Sequence, residues 1–233
     1  MLRAHEMVEL ERLPLFSGIA EENLAVLLDS ALLQHFPKGV RLLQEGHQAD
    51  FLHVLVEGLV EIFTEQDGGE WGISLINPVS TFILAAVVGD QAYLNSARTL
   101  SDSCVLLIPA QRVRDMFDRD IAFARVVARE LALAYRLSVK KLKGYMARST
   151  IERLANWVLA EAHKNASQGS IVVPFDRGTL ASHIGTTREN LSRSLALLTE
   201  HGVRIRGREI VIDSKELLEI FARPQPLIDD PVS

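Results

Sequence analysis

The chain has 233 residues, 48% of them hydrophobic, and a formal net charge of −5. These values predict a globular protein of two modest domains and exclude a disordered chain. No apolar run reaches the length of about eighteen residues that a membrane span needs, and the mixed charges of the first residues predict no signal peptide. Cys104 is the one cysteine. A single cysteine excludes an intramolecular disulfide and a cysteine-rich metal site, and it fits a reducing cytoplasm.

The first half of the chain has the pattern of one short helix followed by closely spaced strands. Leucines at helical spacing predict a helix over residues 21–33. After Pro37, short runs rich in β-branched and aromatic residues alternate with glycines, and the last run covers residues 104–108, before Pro109. Short strands at this spacing predict an antiparallel roll or sandwich.

A long helix is predicted over residues 121–146, because proline is absent there and the only glycine is Gly144 near the end. One stripe of this helix steps by four and three residues: Val127, Leu131, Tyr135, Ser138, Leu142 and Tyr145. At 1.5 Å per residue the helix would be roughly 40 Å long, more than a small roll can cover. The helix could lie against its own domain, but its length favours a homodimer seam along the stripe.

A further helix is predicted to begin at Ser149. Ser149 and Glu152 form an S-x-x-E capping box, in which each side chain satisfies a backbone amide at the start of the helix. The cap implies that the long helix breaks around Ala147 and Arg148. We interpret this break as a domain boundary and a hinge.

The strongest pattern lies between Phe175 and Ile212, where two short helices flank a glycine and a hairpin follows. DRGTLASHIG predicts the first helix, and Gly185 suits the tight turn after it because it has no Cβ. TTRENLSRSLALLTEHG predicts the second helix, capped by Thr186 or Thr187 and ended by a glycine. VRIRGREIVI predicts a two-stranded wing. Three residues of the second helix are expected to face the core: Leu191, Leu195 and Leu198.

The opposite face of the second helix carries side chains suited to reading DNA bases: Arg188, Glu189, Ser192 and Arg193. Arginine matches the two major-groove acceptors of guanine, and a carboxylate accepts a hydrogen bond from the amino group of cytosine. Glu189 and Arg193 are one turn apart and can also pair with each other, as ordinary surface residues do. The surrounding helix–turn–helix pattern favours DNA reading.

Two segments resemble the CRP/FNR family of bacterial transcription regulators. PKGVRLLQEGHQADFLHVLVEGLVEIF is similar to the family's β-roll signature, and TRENLSRSL is similar to its recognition helix. By this resemblance, Arg188, Glu189 and Arg193 match base-contacting positions of the catabolite activator branch. Glu189, Ser192 and Arg193 match those of the oxygen-sensing branch. Because the sequence holds both sets, it does not show which branch's DNA half-site the chain would prefer.

The resemblance covers nearly the whole chain and implies an α+β protein in three parts. Residues 1–120 would form a sensory, antiparallel β-roll of the cyclic-nucleotide-binding type. Residues 121–148 would form the dimerisation helix and hinge, and residues 149–233 a winged helix-turn-helix that binds DNA. The implied partners are a second copy of the chain, a two-fold symmetric double-stranded operator, a small-molecule effector and RNA polymerase.

The sensory half departs from the cyclic-AMP-binding members that it resembles. Those members use a Gly-Glu pair for the ribose and an Arg-Ser pair for the phosphate, since a buried phosphate must be neutralised. This chain has Ile83 and Leu84 at the first place and Tyr93 and Leu94 near the second. We therefore expect no useful cyclic-AMP affinity and a largely apolar effector pocket. The residues predicted to line it are Ile83, Leu84, Tyr93, Leu94, Arg98, Leu131, Tyr135 and Ser138.

Two effector chemistries remain open from the sequence. A small apolar or aromatic acid fits an apolar pocket, with Arg98 or a tyrosine to take its carboxylate. Haem, with nitric oxide as its ligand, is the other, although Cys104 and the histidines of this half show no ligand spacing. An iron–sulfur cluster is excluded, because the N-terminal cysteines that it requires are missing.

Two other protein classes compete with a DNA-binding regulator. A metal enzyme on a β-roll would need a cluster of histidine and carboxylate ligands, and no H-x-H or comparable cluster occurs. We therefore expect neither a catalytic nor a metal site. A signalling module of the cyclic-nucleotide-binding type, without DNA binding, is the alternative that the second-helix sequence disfavours.

Overall fold

A computed structural model of the protein describes residues 13–66, 68–164 and 170–230. The expectation of no signal peptide concerns residues 1–12 and so lies outside the described residues, as does His5, one of the histidines without ligand spacing. The chain forms two compact units that divide after Ala134. Among the described helices, none combines the length and the apolar character that crossing a bilayer requires.

The first unit is an antiparallel β-roll with helices at both ends. Its elements in chain order are α1 (Glu21–Leu28), β1 (Leu32–Phe36), β2 (Arg41–Leu43), β3 (Phe51–Glu57), β4 (Val60–Gln66), β5 (Gly69–Ile76), β6 (Ser80–Phe82), α2 (Leu84–Val88), β7 (Ser96–Thr99), β8 (Ser103–Pro109) and α3 (Ala110–Arg119). One sheet has the order β1-β8-β3-β6 and the other β2-β7-β4-β5. The predicted roll is confirmed.

Two predicted element ends need correction or extension. The first helix ends at Leu28, not at residue 33, because Leu32 and Leu33 pair with Leu107 and Leu106 of β8. Cross-strand pairing outweighs the helical spacing of those leucines. The last strand is confirmed and is one residue longer at each end than predicted, since it runs from Ser103 to Pro109.

Helix α4 (Ile121–Ala147) confirms the predicted long helix within one residue. Its two ends have different environments. Phe123 and Val127 are completely buried and belong to the core of the first unit, and Leu131 packs against that core. Val127 and Leu131 thus pack on their own unit, which corrects their place in the predicted dimer seam. Several apolar residues farther along are exposed: Leu133, Tyr135, Leu137, Val139, Leu142, Tyr145 and Met146.

The second unit contains the end of α4 and a helical domain with a small sheet. Its further elements are α5 (Thr150–Lys164), β9 (Ser170–Val172), α6 (Arg177–Ile184), α7 (Arg188–Leu198), β10 (Val203–Arg206), β11 (Glu209–Ile212), α8 (Lys215–Ala222) and α9 (Pro226–Asp229), with the sheet order β10-β11-β9. The capping box is confirmed, because the Ser149 amide donates to the Glu152 carboxylate at 2.8 Å and the Glu152 amide to Ser149 Oγ at 3.4 Å.

The C-terminal helix α9 packs back onto the junction between α4 and α5. Arg148 donates two hydrogen bonds to the Asp229 carboxylate, both at 2.6 Å, and its side chain is 8% exposed. Lys140 Nζ donates to the Asp230 carbonyl at 2.6 Å. The predicted hinge residue Arg148 is therefore held by the end of the chain.

Candidate nucleic-acid interface and sensory pocket

Helices α6 and α7 form the predicted helix–turn–helix. The Asp176 carboxylate caps α6, accepting from the Gly178 and Thr179 amides at 2.6 and 3.0 Å. Gly185 ends α6 with a φ of 76°, a left-handed conformation that favours glycine. Thr187, one of the two predicted caps, begins α7 by accepting from the Asn190 amide at 3.3 Å.

Helix α7 presents one face to the core and the other to solvent, as predicted. The three leucines predicted to face inward are each 5% exposed or less. The four predicted base-reading residues are all exposed: Arg188, Glu189, Ser192 and Arg193. The outer face therefore offers two guanidinium groups, a carboxylate and a hydroxyl on adjacent turns of one helix.

The arginines of this face have neighbours that the sequence did not indicate. Arg193 donates to Asn190 Oδ1 at 2.6 Å, so its partner is Asn190 and not Glu189. Arg188 lies 3.6 Å from the Asp176 carboxylate, across the turn. These contacts are exposed and weak in water, so a nucleic acid can displace them at little cost.

Arg153 of α5 holds the turn between α6 and α7, a role that sequence reasoning missed. Its guanidinium donates to the carbonyls of Ile184 and Gly185 at 3.0 and 3.2 Å, and to the Arg148 carbonyl at 2.8 Å. It also lies 5.1 Å from the ring centre of Tyr145. A Cβ at Gly185 would lie 2.5 Å from the Tyr145 ring, so this close approach also requires glycine.

The wing is the hairpin of β10 and β11, with Gly207 at its tip in a left-handed conformation of φ 62°. Arg206 and Arg208 flank this glycine and are exposed. Arg204 pairs with Asp213 at the base of the wing. The tip and the outer face of α7 together concentrate positive charge in a chain that is acidic overall.

The residues predicted for the sensory pocket fall into different environments. Leu84 and Tyr93 are buried in the core of the first unit, and Ile83 and Leu131 pack against it. Leu94, by contrast, is 81% exposed. Tyr135 and Ser138 belong to the second unit, where both are exposed on α4. Ile83, Leu84, Tyr93 and Leu131 thus all belong to or pack against the apolar core of the first unit.

Arg98 is already engaged by carboxylates. It contacts Glu61 at 2.8 Å and Glu70 at 2.5 Å, and its guanidinium carbon lies 4.4 Å from the ring centre of Phe63. Glu61 is only 1% exposed. An effector carboxylate at Arg98 would have to displace a buried anion, so the structure gives this arginine a role in the sheet.

His53 is a buried polar residue of the sensory core, and sequence reasoning counted it only among the histidines without ligand spacing. It is 5% exposed on β3 and lies near the rings of Phe82 and Tyr93, with centroid distances of 5.2 and 6.4 Å. Burial lowers its pKa to about 4, so the ring is neutral at pH 7. Its Nδ1 lies 3.1 Å from the Phe51 carbonyl. The sequence feature that could have indicated this buried ring is a histidine inside an otherwise apolar strand.

Cys104 is buried, as a core thiol would be, and its Sγ lies 3.9 Å from His35 Nε2. In the described part of the chain, no group of three or more histidine, cysteine or acidic side chains is arranged to hold a metal ion. The sensory unit therefore offers an apolar cluster with one neutral imidazole as its distinctive chemistry.

Comparison with known proteins agrees with this architecture. Residues 33–120 match the cyclic nucleotide-binding domain and residues 152–221 the Crp-like helix-turn-helix domain. The chain is 28% identical over 214 residues to a cyclic AMP receptor protein of Thermus thermophilus, covering 90% of this chain and 96% of that protein. It is also 24% identical over 216 residues to a probable transcriptional regulator, flp, of Lacticaseibacillus casei, with 90% and 95% covered.

A solved structure supports the fold independently. A crp/fnr-family regulator of Eubacterium rectale superposes with a TM-score of 0.75 at 19% identity, covering 91% of this chain and 98% of that one. Both family domains thus occur in one chain, in the order that the resemblance implies, and the second has the geometry of a winged helix-turn-helix. The chain belongs to the CRP/FNR family and is a DNA-binding transcription regulator with an effector-binding domain.

Proposed function

We propose that this regulator binds a two-fold symmetric operator as a homodimer and reads its bases through the outer face of α7. The observation that carries the proposal is the exposed set on that face, Arg188, Glu189, Ser192 and Arg193, on a capped helix whose inward-facing leucines are buried. A helix placed in the major groove presents such side chains to base edges. A protein that reads DNA acts where the chromosome lies, so we place it in the cytoplasm.

Each residue of this face has a distinct role in the proposal. Arg193 contacts the O6 and N7 acceptors of a guanine in each half-site, and Glu189 accepts from a cytosine amino group on the opposite strand. Arg188 and Ser192 contact neighbouring bases. Arg206, at the tip of the wing, binds backbone phosphate, a contact that adds affinity without sequence information.

The dimer in this proposal forms through the exposed part of α4. Tyr135 and Leu142 are 71% and 57% exposed, and such a row of large apolar side chains on one helix is typical of an interface. The parts assigned to sensing (1–120), dimerisation and hinge (121–148) and DNA binding (149–233) follow from this arrangement. RNA polymerase is the partner through which the bound dimer would act on transcription.

The effector that best suits the first unit is a small, largely apolar molecule near Ile83, Leu84, Tyr93 and Leu131. The described buried residues of this unit with ionisable side chains are Tyr93, Cys104, Glu61 and His53, and the first two can carry only a negative charge. That leaves Glu61 and His53. Neither can neutralise a buried phosphate at pH 7, since Glu61 is an acid and His53 is neutral. The proposal therefore excludes cyclic AMP as the physiological effector.

Haem is the second effector candidate, and His53 favours it. Its Nδ1 lies 3.1 Å from the Phe51 carbonyl, and the tautomer that donates to this carbonyl leaves a lone pair on Nε2, the state that a metal-binding histidine needs. Haem would supply the binding site for a diatomic gas, while His53 would hold the iron. Reconstituted protein should then show a haem absorption band that His53→Ala shifts or removes; an identical spectrum in both would exclude this role.

The test of DNA reading compares binding-site selection for the wild type, Arg193→Ala and Arg206→Ala. Arg193→Ala should cost about 1–3 kcal/mol per half-site and relax the preference at one guanine. Arg206→Ala should weaken binding to all DNA sequences equally and leave the consensus unchanged. The slope of log affinity against log salt concentration should fall in magnitude by about one. An unchanged consensus for Arg193→Ala would show that Arg193 contacts only the phosphate backbone of the DNA. No enriched sequence for the wild type would favour a signalling module without DNA binding.

A further inference from the structure

An apolar cavity of about 190 Å³ lies inside the DNA-binding domain, beneath the wing. Its walls come from the segment before α6, from α6 and α7, and from both wing strands. The apolar residues that line it are Val173, Phe175, Leu180, Leu195, Ile205 and Ile210. The cavity is partly open to solvent, and its volume is enough for a benzene ring, since an apolar cavity of roughly 150 Å³ binds benzene.

Three charged residues also line the cavity. Arg177 is the first residue of α6, Asp176 precedes it, and Arg208 follows Gly207 at the tip of the wing. Asp176 is engaged by the Gly178 and Thr179 amides and by Arg188. The guanidinium groups of Arg177 and Arg208 have no hydrogen bond or ion pair within the described part of the chain. The cavity thus combines apolar walls with two unpaired guanidinium groups in its lining.

We propose that this cavity binds a small aromatic monocarboxylate, with the ring in the chamber and the carboxylate between Arg177 and Arg208. The apolar walls reject a polar ring, and the volume is too small for a nucleotide. A planar guanidinium pairs with a carboxylate through two parallel hydrogen bonds, which gives the acid its orientation. The site is separate from the sensory pocket of the first unit.

Occupancy of the cavity opposes DNA binding. This step rests on the proposed function, in which Arg206 at the wing tip binds backbone phosphate. Arg208 is two residues from Arg206, so a ligand carboxylate held by Arg208 would repel that phosphate. Coupling between two ligands is reciprocal, so bound DNA must lower the affinity for the acid by the same factor by which the bound acid lowers the affinity for DNA.

Calorimetry on the full-length protein tests the site with benzoate as the probe. Benzyl alcohol and acetate are the matched controls, because the first lacks the charge and the second lacks the ring. Arg208→Gln should weaken benzoate binding by about tenfold or more, because it removes the charge-assisted hydrogen bonds of one guanidinium group. Arg206→Gln, on the same wing but outside the cavity lining, should change benzoate affinity by less than about twofold. Leu195→Phe and Val173→Phe each fill the chamber and should abolish binding.

Several results would overturn the site. They are no benzoate binding at millimolar concentration, equal affinity for benzyl alcohol, or undiminished binding in Arg208→Gln or in a cavity-filling variant that circular dichroism shows to be folded. The last result would place the benzoate elsewhere, such as the sensory unit. If benzoate binds as expected but the wild type selects no DNA sequence, the proposed function fails and the site stands. If DNA is read and benzoate does not bind, only the site fails.

Discussion

The contact between Arg148 and Asp229 ties the end of the chain to the junction of α4 and α5, and Asp229→Ala tests its energetic weight. Two hydrogen bonds of 2.6 Å link the side chains, and the Gln225 amide donates a third to Asp229 at 2.6 Å. A hydrogen bond to a charged group contributes about 1.5–3 kcal/mol. The Arg148 side chain is only 8% exposed, so removing its partner leaves a largely buried charge.

We expect Asp229→Ala to lower the free energy of unfolding of the second unit by about 2–3 kcal/mol. This is below the roughly 3–5 kcal/mol for breaking a fully buried pair, because the 21% exposure of Asp229 shows that water can reach the site. The matched control is Glu219→Ala. Glu219 lies 3.4 Å from Lys215 in an exposed pair of the same unit, and its loss should cost less than about 0.5 kcal/mol.

Urea denaturation followed by tryptophan fluorescence measures both changes. The chain has two tryptophans, Trp71 on β5 and Trp157 on α5, so a Trp71→Phe background reports on the second unit alone. With a denaturant slope of about 2 kcal/mol per M, Asp229→Ala should lower the urea midpoint by roughly 1 M or more. Equal, small shifts for Asp229→Ala and Glu219→Ala would refute the reasoning that burial gives this ion pair its strength.

Three further predictions follow from burial in the first unit and on α4. Leu142→Asp should turn the dimer into folded monomers in light scattering, whereas Val127→Asp should unfold the first unit, because Val127 is fully buried; a dimeric Leu142→Asp would exclude the α4 seam. Calorimetry should show no micromolar cyclic-AMP binding, and finding it would overturn the apolar pocket. Burial lowers the pKa of His53 to about 4, below the value of about 6.5 in the unfolded chain. The contribution of the neutral ring to the free energy of unfolding is therefore fully present above about pH 6.5 and declines as the pH falls toward 4. His53→Phe should flatten the decline between pH 6.5 and 5, and an equally steep profile would contradict the buried neutral ring.

Features that depend on neighbours along the chain were predictable from the sequence. The Ser149 capping box, the glycine at 185 and the Thr187 cap each involve groups within three residues, so the local sequence fixes their geometry. The inward leucines of α7 follow from helical periodicity alone. Such local signals predict the helix–turn–helix and its exposed face.

Features that depend on pairing between distant segments were not predictable. Arg98 was expected to receive an effector, but Glu61 and Glu70 reach it from neighbouring strands of the sheet. Arg153 holds a turn more than thirty residues away. Val127 fitted a dimer stripe by spacing, yet the core of its own unit buries it. In each case the partner is set by tertiary contacts, which a single sequence does not reveal.

Methylation interference on a selected operator tests the central claim most directly. Methylation at guanine N7 blocks the major-groove acceptor that Arg193 is proposed to contact. With the wild type, we expect interference at guanines related by a two-fold axis, with half-sites about one helical turn apart, roughly 34 Å. With Arg193→Ala, interference at those guanines should disappear while binding persists at low salt. Interference on one side only, or an identical pattern with Arg193→Ala, would contradict a dimer that reads DNA through α7.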